Sequence, residues 1–124
     1  MNNDHLIREI DAALTAHAQW KHKLSNAINI GQCEQGADAI ACDDRCAFGQ
    51  WLYGQTLDAG TKARKPYQVT RRLHADFHVS AGKIAKLAEQ GEKAQAWALM
   101  DSEYSYRSDK LNRALQKWRG ELSR

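Results

Sequence analysis

Between His5 and Ile30 the residues Leu6, Ile10, Ala13, His17, Trp20, Leu24 and Ala27 recur at alternating spacings of four and three. That is the buried seam of one long amphipathic helix, and a seam so narrow has to be covered by other helices. An all-α fold follows. One member of the seam is a histidine: His17 sits near the middle of a helix about 35–40 Å long, deep in whatever bundle forms. His22 is rotated from it by about 140° and falls on the solvent side.

The pattern returns twice. After a connection from Gln32 to Ala41 with no sustained period, Asp43 and Asp44 offer N-caps to a short helix carrying Cys46, Phe48, Trp51 and Leu52 and ending at Gly54. Gly49 inside that helix is costly by about 1 kcal/mol, which predicts a close approach by another backbone or a bulky ring. Gln55 to Lys65 reads as a second polar connection. Pro66 suits the first turn of a third element, in which Val69, Leu73, Phe77, Ala81, Ile84 and Ala88 form the seam. His74 and His78 lie one residue past seam positions, beside the core stripe. Gly91 stops this helix, and a last one from Glu92 to Leu122 places Trp97, Met100, Tyr104, Ser108, Leu111, Leu115, Trp118 and Leu122 on one face. Phe48, Trp51, Trp97 and Trp118 are expected in the core. Three long helices and one short Cys-bearing helix make a four-helix bundle with mostly antiparallel neighbours, one domain over residues 1–124.

Composition narrows the function classes. A net charge of +3, with bases interleaved among acids outside Lys62–Lys65 and Arg71–Arg72, gives no nucleic-acid patch, since neither run carries interleaved aromatics. No apolar run reaches membrane-span length, and the N-terminus lacks a signal-peptide pattern, so no membrane insertion and a cytoplasmic location are expected. Three cysteines, Cys33, Cys42 and Cys46, are too few and odd in number for a disulfide framework. Metal binding or redox chemistry is the better question.

His17, Cys46, His74 and His78 are one thiol and three imidazoles, the ligand types that fill a tetrahedral zinc site and leave no position for catalytic water. Such a site would join three helices, and no enzymatic activity is expected of it. Spacing alone does not decide the matter. A histidine in an apolar seam is commonly a core residue, a His-x-x-x-His pair is weak by itself, and a buried cysteine often acts as a small hydrophobe. Bundles with inward histidines also hold di-iron or metal-dependent hydrolase sites, but those use Glu near the histidines, and none stands beside these.

The pieces His17-Ala18-Gln19-Trp20, Cys46-Ala47-Phe48-Gly49-Gln50-Trp51-Leu52 and His74-Ala75-Asp76-Phe77-His78 closely resemble the chemoreceptor zinc-binding domain family. The Cys-x-Phe-Gly-x-Trp stretch is the specific part. Carried over position by position, the resemblance implies Zn²⁺ held by His17, Cys46, His74 and His78. It also implies a homodimeric, cytoplasmic sensory module that responds to zinc or to oxidants such as hypochlorous acid. Cys46 would be the redox-reactive residue, and a chemotaxis protein or diguanylate cyclase, in cis or in trans, the signalling partner. Because the sequence starts at Met1, an N-terminal or free-standing module is expected rather than a receptor tail. A zinc bundle that only dimerises is the plainer alternative. Cys33 and Cys42 lie outside the pattern.

Overall fold

The computed structural model describes residues 3–33 and 35–123, and among them all regular structure is helical. The elements are α1 (Asp4–Ile30), α2 (Ala37–Ala41), α3 (Ala47–Tyr53), α4 (Ala59–Lys62), α5 (Lys65–Glu89), α6 (Lys93–Leu99) and α7 (Ser105–Leu122), with a π-helical turn at Met100–Tyr104 joining the last two. The expected bundle is present: α1, α5 and the α6–α7 arm are long, and α3 is the short helix following Cys46. No helix among the described residues is long and apolar enough to cross a membrane.

Neighbours are mostly antiparallel, as expected, with one parallel pair. Asn3 donates to the Leu122 carbonyl at 3.0 Å and Lys93 to the Asn29 carbonyl at 3.3 Å, so α1 and the α6–α7 arm run in opposite directions. Rings of α5 meet α7 in the same reversed order, Tyr67 with Trp118 and Phe77 with Tyr104 of the π turn. In contrast α1 and α5 run parallel: His17 faces His74 and His78, and Gly31, at the far end of α1, lies beside Ala88. The connection through α2, α3 and α4 carries the chain back to its starting end.

Both segments expected as loops contain short helices. Asp58 caps α4 by accepting from the Thr61 amide at 2.7 Å, and in α2 Ala37 and Ile40 are buried against α5. Helices of four or five residues are too short to show a period, which is why neither stands out in the sequence. Nor do Asp43 and Asp44 cap α3. Cys46 is the N-cap, with its Sγ accepting from the Gly49 amide at 3.3 Å in the role a serine or aspartate oxygen usually plays.

The expected seam of α5 holds at Phe77, Ala81, Ile84 and Ala88 and fails only in the first turns, where Val69 and Leu73 are half-buried while Tyr67, Thr70, His74 and His78 are buried. His74 and His78 therefore occupy the centre of the buried face rather than its margin. α2 covers a flank of α5 that α1 and α7 leave open, and this widens the stripe. On the last arm Ala96 is buried and Trp97 is 36% exposed, contrary to its expected core place. The extra residue in the π turn rotates α6 relative to α7, so a seam read at constant helical period drifts off the core face.

Two close approaches need glycine. A Cβ on Gly49 would lie 1.7 Å from the Asp43 carbonyl oxygen, so the backbone of residues 43–44 crosses directly over α3, the close approach expected there. A Cβ on Gly82 would lie 2.6 Å from the Ala41 Cβ and 2.9 Å from its Cα. α2 rests on α5 at that point and has no flexible side chain to yield. Gly82→Ala is expected to cost about 1–3 kcal/mol in urea unfolding, the range for an overpacked core, and to raise hydrogen exchange in residues 37–41. A variant with unchanged stability and exchange would show that α2 does not depend on this contact.

Candidate metal centre

His17 takes a seam position of α1 that an aliphatic residue would otherwise fill, His74 and His78 take two successive turns of α5, and Cys46 opens α3. These four side chains converge. One ligand atom from each, Sγ of Cys46 and a ring nitrogen of each histidine, lies within 4.8 Å of all the others. The Nε2 atoms of His74 and His78 are 3.1 Å apart, and Cys46 Sγ is 3.3 Å from the first and 3.5 Å from the second. Zinc–nitrogen bonds of about 2.0–2.1 Å and a zinc–sulfur bond of about 2.3 Å place tetrahedral donors roughly 3.3–3.6 Å apart. The three edges among Cys46, His74 and His78 are close to those lengths, and His17 lies within 4.8 Å of each.

Proton placement gives the same reading. A backbone carbonyl can only accept, so His17 donates from Nδ1 to the Ala13 carbonyl at 2.7 Å, and His78 donates from Nδ1 to the Ile40 carbonyl at 2.9 Å. Both rings are thereby fixed with Nε2 unprotonated. His17 Nε2 is buried and has no hydrogen-bond partner among the described residues. An uncompensated buried acceptor costs about 1–3 kcal/mol, and a cation at the cluster removes that cost. The residues present therefore fit a metal ion.

The rings are walled by aromatic side chains. Phe48 meets His17 and His74 edge-on at centroid distances of 5.9 and 5.2 Å, and Phe77 meets His17 and His78 at 5.1 and 5.4 Å. Trp20 closes the side next to His78 at 6.0 Å. Burial is the first cause of every pKa shift in the cluster. It lowers His17 to about 4 and His74 to about 2, in each case with repulsion from neighbouring imidazoles, and it lowers His78 as well. The Cys46 thiol is pushed up by burial, against the amides of Gly49, Phe48 and its own residue that favour the thiolate. Without metal the centre is thus a thiol beside three neutral imidazoles, and a bound cation supplies the charge that holds the thiolate.

Sequence reasoning named all four converging side chains and missed their supports. The Ile40 carbonyl comes from α2, which carried no periodic signal. Asp43 accepts from the Tyr53 hydroxyl, tying the turn before Cys46 to the end of α3, and this raises the Tyr53 pKa to about 12, after a larger effect of burial. Among the described residues no carboxylate belongs to the cluster, so the arrangement they form lacks the bridging acids of a di-iron site. His22 is exposed, as expected, and the thiols of Cys33, Cys42 and Cys46 are free.

The depressed histidines make a signed pH prediction for the metal-free protein. Between the ordinary pKa of 6.5 and the folded values near 4 and 2, the unfolded chain binds protons that the fold refuses, so stability falls as pH drops through that window. Unfolding of chelator-treated protein is expected to show a loss of about 2 kcal/mol for each of His17 and His74 between pH 7 and pH 5. A flat profile would mean that the rings are not buried neutral.

The family model described as the chemoreceptor zinc-binding domain matches residues 17–85, a stretch that runs from His17 past His78 and covers more than half of the chain. No curated protein and no solved structure matches. Domains of this kind are small helical sensory modules, found typically in signalling proteins, and are not a known catalytic family. With an all-helical fold and a three-histidine, one-cysteine cluster inside the matched stretch, the chain belongs to the chemoreceptor zinc-binding domain family.

Proposed function

We propose that residues 1–124 form one zinc-binding sensory unit. His17, His74 and His78 bind Zn²⁺ through Nε2 and Cys46 through its thiolate. The observation that carries this reading is the convergence of four ligand atoms within 4.8 Å of one another, one of them a buried nitrogen without a partner among the described residues. With four protein ligands the ion has no open position, so it is regulatory and structural rather than catalytic. A cytoplasmic setting suits three free thiols.

Oxidation at Cys46 gives the switch. Cys46 is half-buried and borders an open cleft of about 580 Å³, together with Trp20, Arg45 and His78, so a small oxidant reaches the sulfur from solvent. With hypochlorous acid the thiolate gives up two electrons, chlorine leaves as chloride, and the sulfur gains oxygen as sulfenic acid. One ligand bond is then weakened. α3, anchored chiefly by Phe48, Trp51, Leu52 and the sulfur itself, is the element that loosens. Its movement changes the surface through which two copies pair or meet an output partner, a chemotaxis protein or a diguanylate cyclase in cis or in trans. A purely structural zinc would call for an enclosed, inert sulfur, and the open cleft beside Cys46 favours the sensor.

Protein purified without added metal is expected to contain one zinc per chain by elemental analysis, and Cys46→Ala to lose most of it. Zinc content indifferent to Cys46 would sink the four-ligand assignment. One equivalent of hypochlorous acid is expected to release zinc to a chromogenic chelator and to form a sulfenic adduct on Cys46, visible by mass spectrometry. If full release also occurred in Cys46→Ser loaded with zinc, the oxidant would be acting elsewhere.

A further inference from the structure

Two of the three histidines in the cluster have their Nδ1 proton held by a backbone carbonyl, from Ala13 in one case and Ile40 in the other. His74 does not. Its Nδ1 is buried with no hydrogen-bond partner, although its Nε2 faces Cys46 and His78 at 3.3 and 3.1 Å. A second orphan lies one helical turn before it on the same helix: Thr70, only 1% exposed, has a buried Oγ1 that is likewise without a partner.

Residues four apart share a helix face, and long side chains lie back over the preceding turn. His17 uses the same relation when it donates to Ala13, four residues earlier in α1. A threonine hydroxyl in a helix has two accessible χ1 rotamers. It can accept from an N–H while donating to a carbonyl of its own helix. Two unsatisfied groups so placed, each costing about 1–3 kcal/mol if left alone, complement each other as donor and acceptor.

We propose that Thr70 is a positioning residue of this centre: its hydroxyl accepts the Nδ1–H of His74, directly or through one buried water, and so keeps Nε2 as the lone pair turned toward Cys46 and His78. All three imidazoles then have an outer partner, two carbonyls and one hydroxyl. The inference rests on the zinc reading for the direction of this bond: with no ion bound, His78 Nε2 is an acceptor 3.1 Å from His74 Nε2, which then carries the ring proton and leaves Nδ1 to accept from the Thr70 hydroxyl instead.

The test compares Thr70→Val, which keeps the shape and removes the hydroxyl, with Thr70→Ser, which keeps the hydroxyl. In the metal-free proteins nitrogen-15 NMR of the imidazoles is expected to show His74 Nδ1 as a hydrogen-bonded acceptor in the parent and Thr70→Ser, and as an unbonded one, shifted downfield, in Thr70→Val. Zinc affinity, measured by competition with a chelator, is expected to fall at least about tenfold in Thr70→Val and to return to within about threefold of the parent in Thr70→Ser. A merely structural threonine would leave the His74 Nδ1 signal unmoved. An unchanged His74 Nδ1 signal in Thr70→Val overturns the proposal, and Thr70→Ala gives the same readout if valine disturbs the packing. If the parent bound no zinc, the metal reading would fall, and the Nδ1 comparison would still decide the role of Thr70.

Discussion

Burying three imidazoles and a thiol against one another is the constraint on which the rest of the structure depends. A core of aliphatic side chains would gain about 1.5–3 kcal/mol for each large residue enclosed, with no electrostatic cost. This core gives up part of that gain. His17 Nε2 is left without a partner, and burial holds His17 and His74 neutral far below the ordinary histidine range. A cation bound at the cluster would turn the unfavourable arrangement into a source of cohesion, since structural zinc in small peptides is worth about 10–16 kcal/mol at neutral pH. On the zinc reading proposed above, stability and metal occupancy would then be two readings of one equilibrium.

The topology serves that convergence. α5 is the hub, touching α1, α2, α6 and α7, and it carries two of the four side chains. Because α1 and α5 run parallel, His17 can meet His74 and His78 only at one level of the bundle, and the connection between the helices must climb back past that level. It does so while delivering two things to the centre: the Ile40 carbonyl from α2, and Cys46 at the start of α3. Gly82 and Gly49 are where that connection presses closest, against α5 in the first case and against itself in the second. The Cys-x-Phe-Gly-x-Trp motif acquires a physical meaning from this. Cys46 caps the helix through the Gly49 amide, Gly49 makes room for the Asp43 backbone, Phe48 walls the imidazoles, and Trp51 stacks on Phe48 at 5.6 Å.

The α-bundle and the four converging residues were legible in the sequence because both rest on long-range regularity: a seven-residue seam in α1 and a motif whose order matches a known pattern. What escaped has a common cause. α2 and α4 are too short to show a period, yet α2 supplies the carbonyl that orients His78. The stripe on α5 was read too narrowly because its buried face also includes Thr70, His74, His78 and Ser80, and a hydrophobic pattern cannot register polar groups that are buried for their chemistry. Trp97 was placed in the core because a uniform period hides the π turn. That turn leaves its own marks, with Ser105 Oγ donating to the Met100 carbonyl at 2.7 Å and Ser80 of α5 donating to Glu103 at 2.7 Å.

Contact between the centre and the outer helices follows from aromatic packing. Phe48 touches His17 and His74 on one side and Trp51 on the other, and Trp51 lies 6.1 Å from Trp118 near the end of α7. Phe77, between His17 and His78, reaches Tyr104 in the π turn at 5.3 Å. Close-packed rings have few alternative arrangements, so a displacement of α3 of even an ångström has to be accommodated by repacking at Trp118. The α7 arm is held against α1 by Asp11–Arg119 at 2.6 Å, a half-exposed pair of small net worth. The rings of the metal centre, more than the surface charges, thus decide how firmly α7 is seated. On the sensory reading proposed above, a change of ligand state at Cys46 would reach the last helix along these rings, through Phe48 and Trp51 to Trp118.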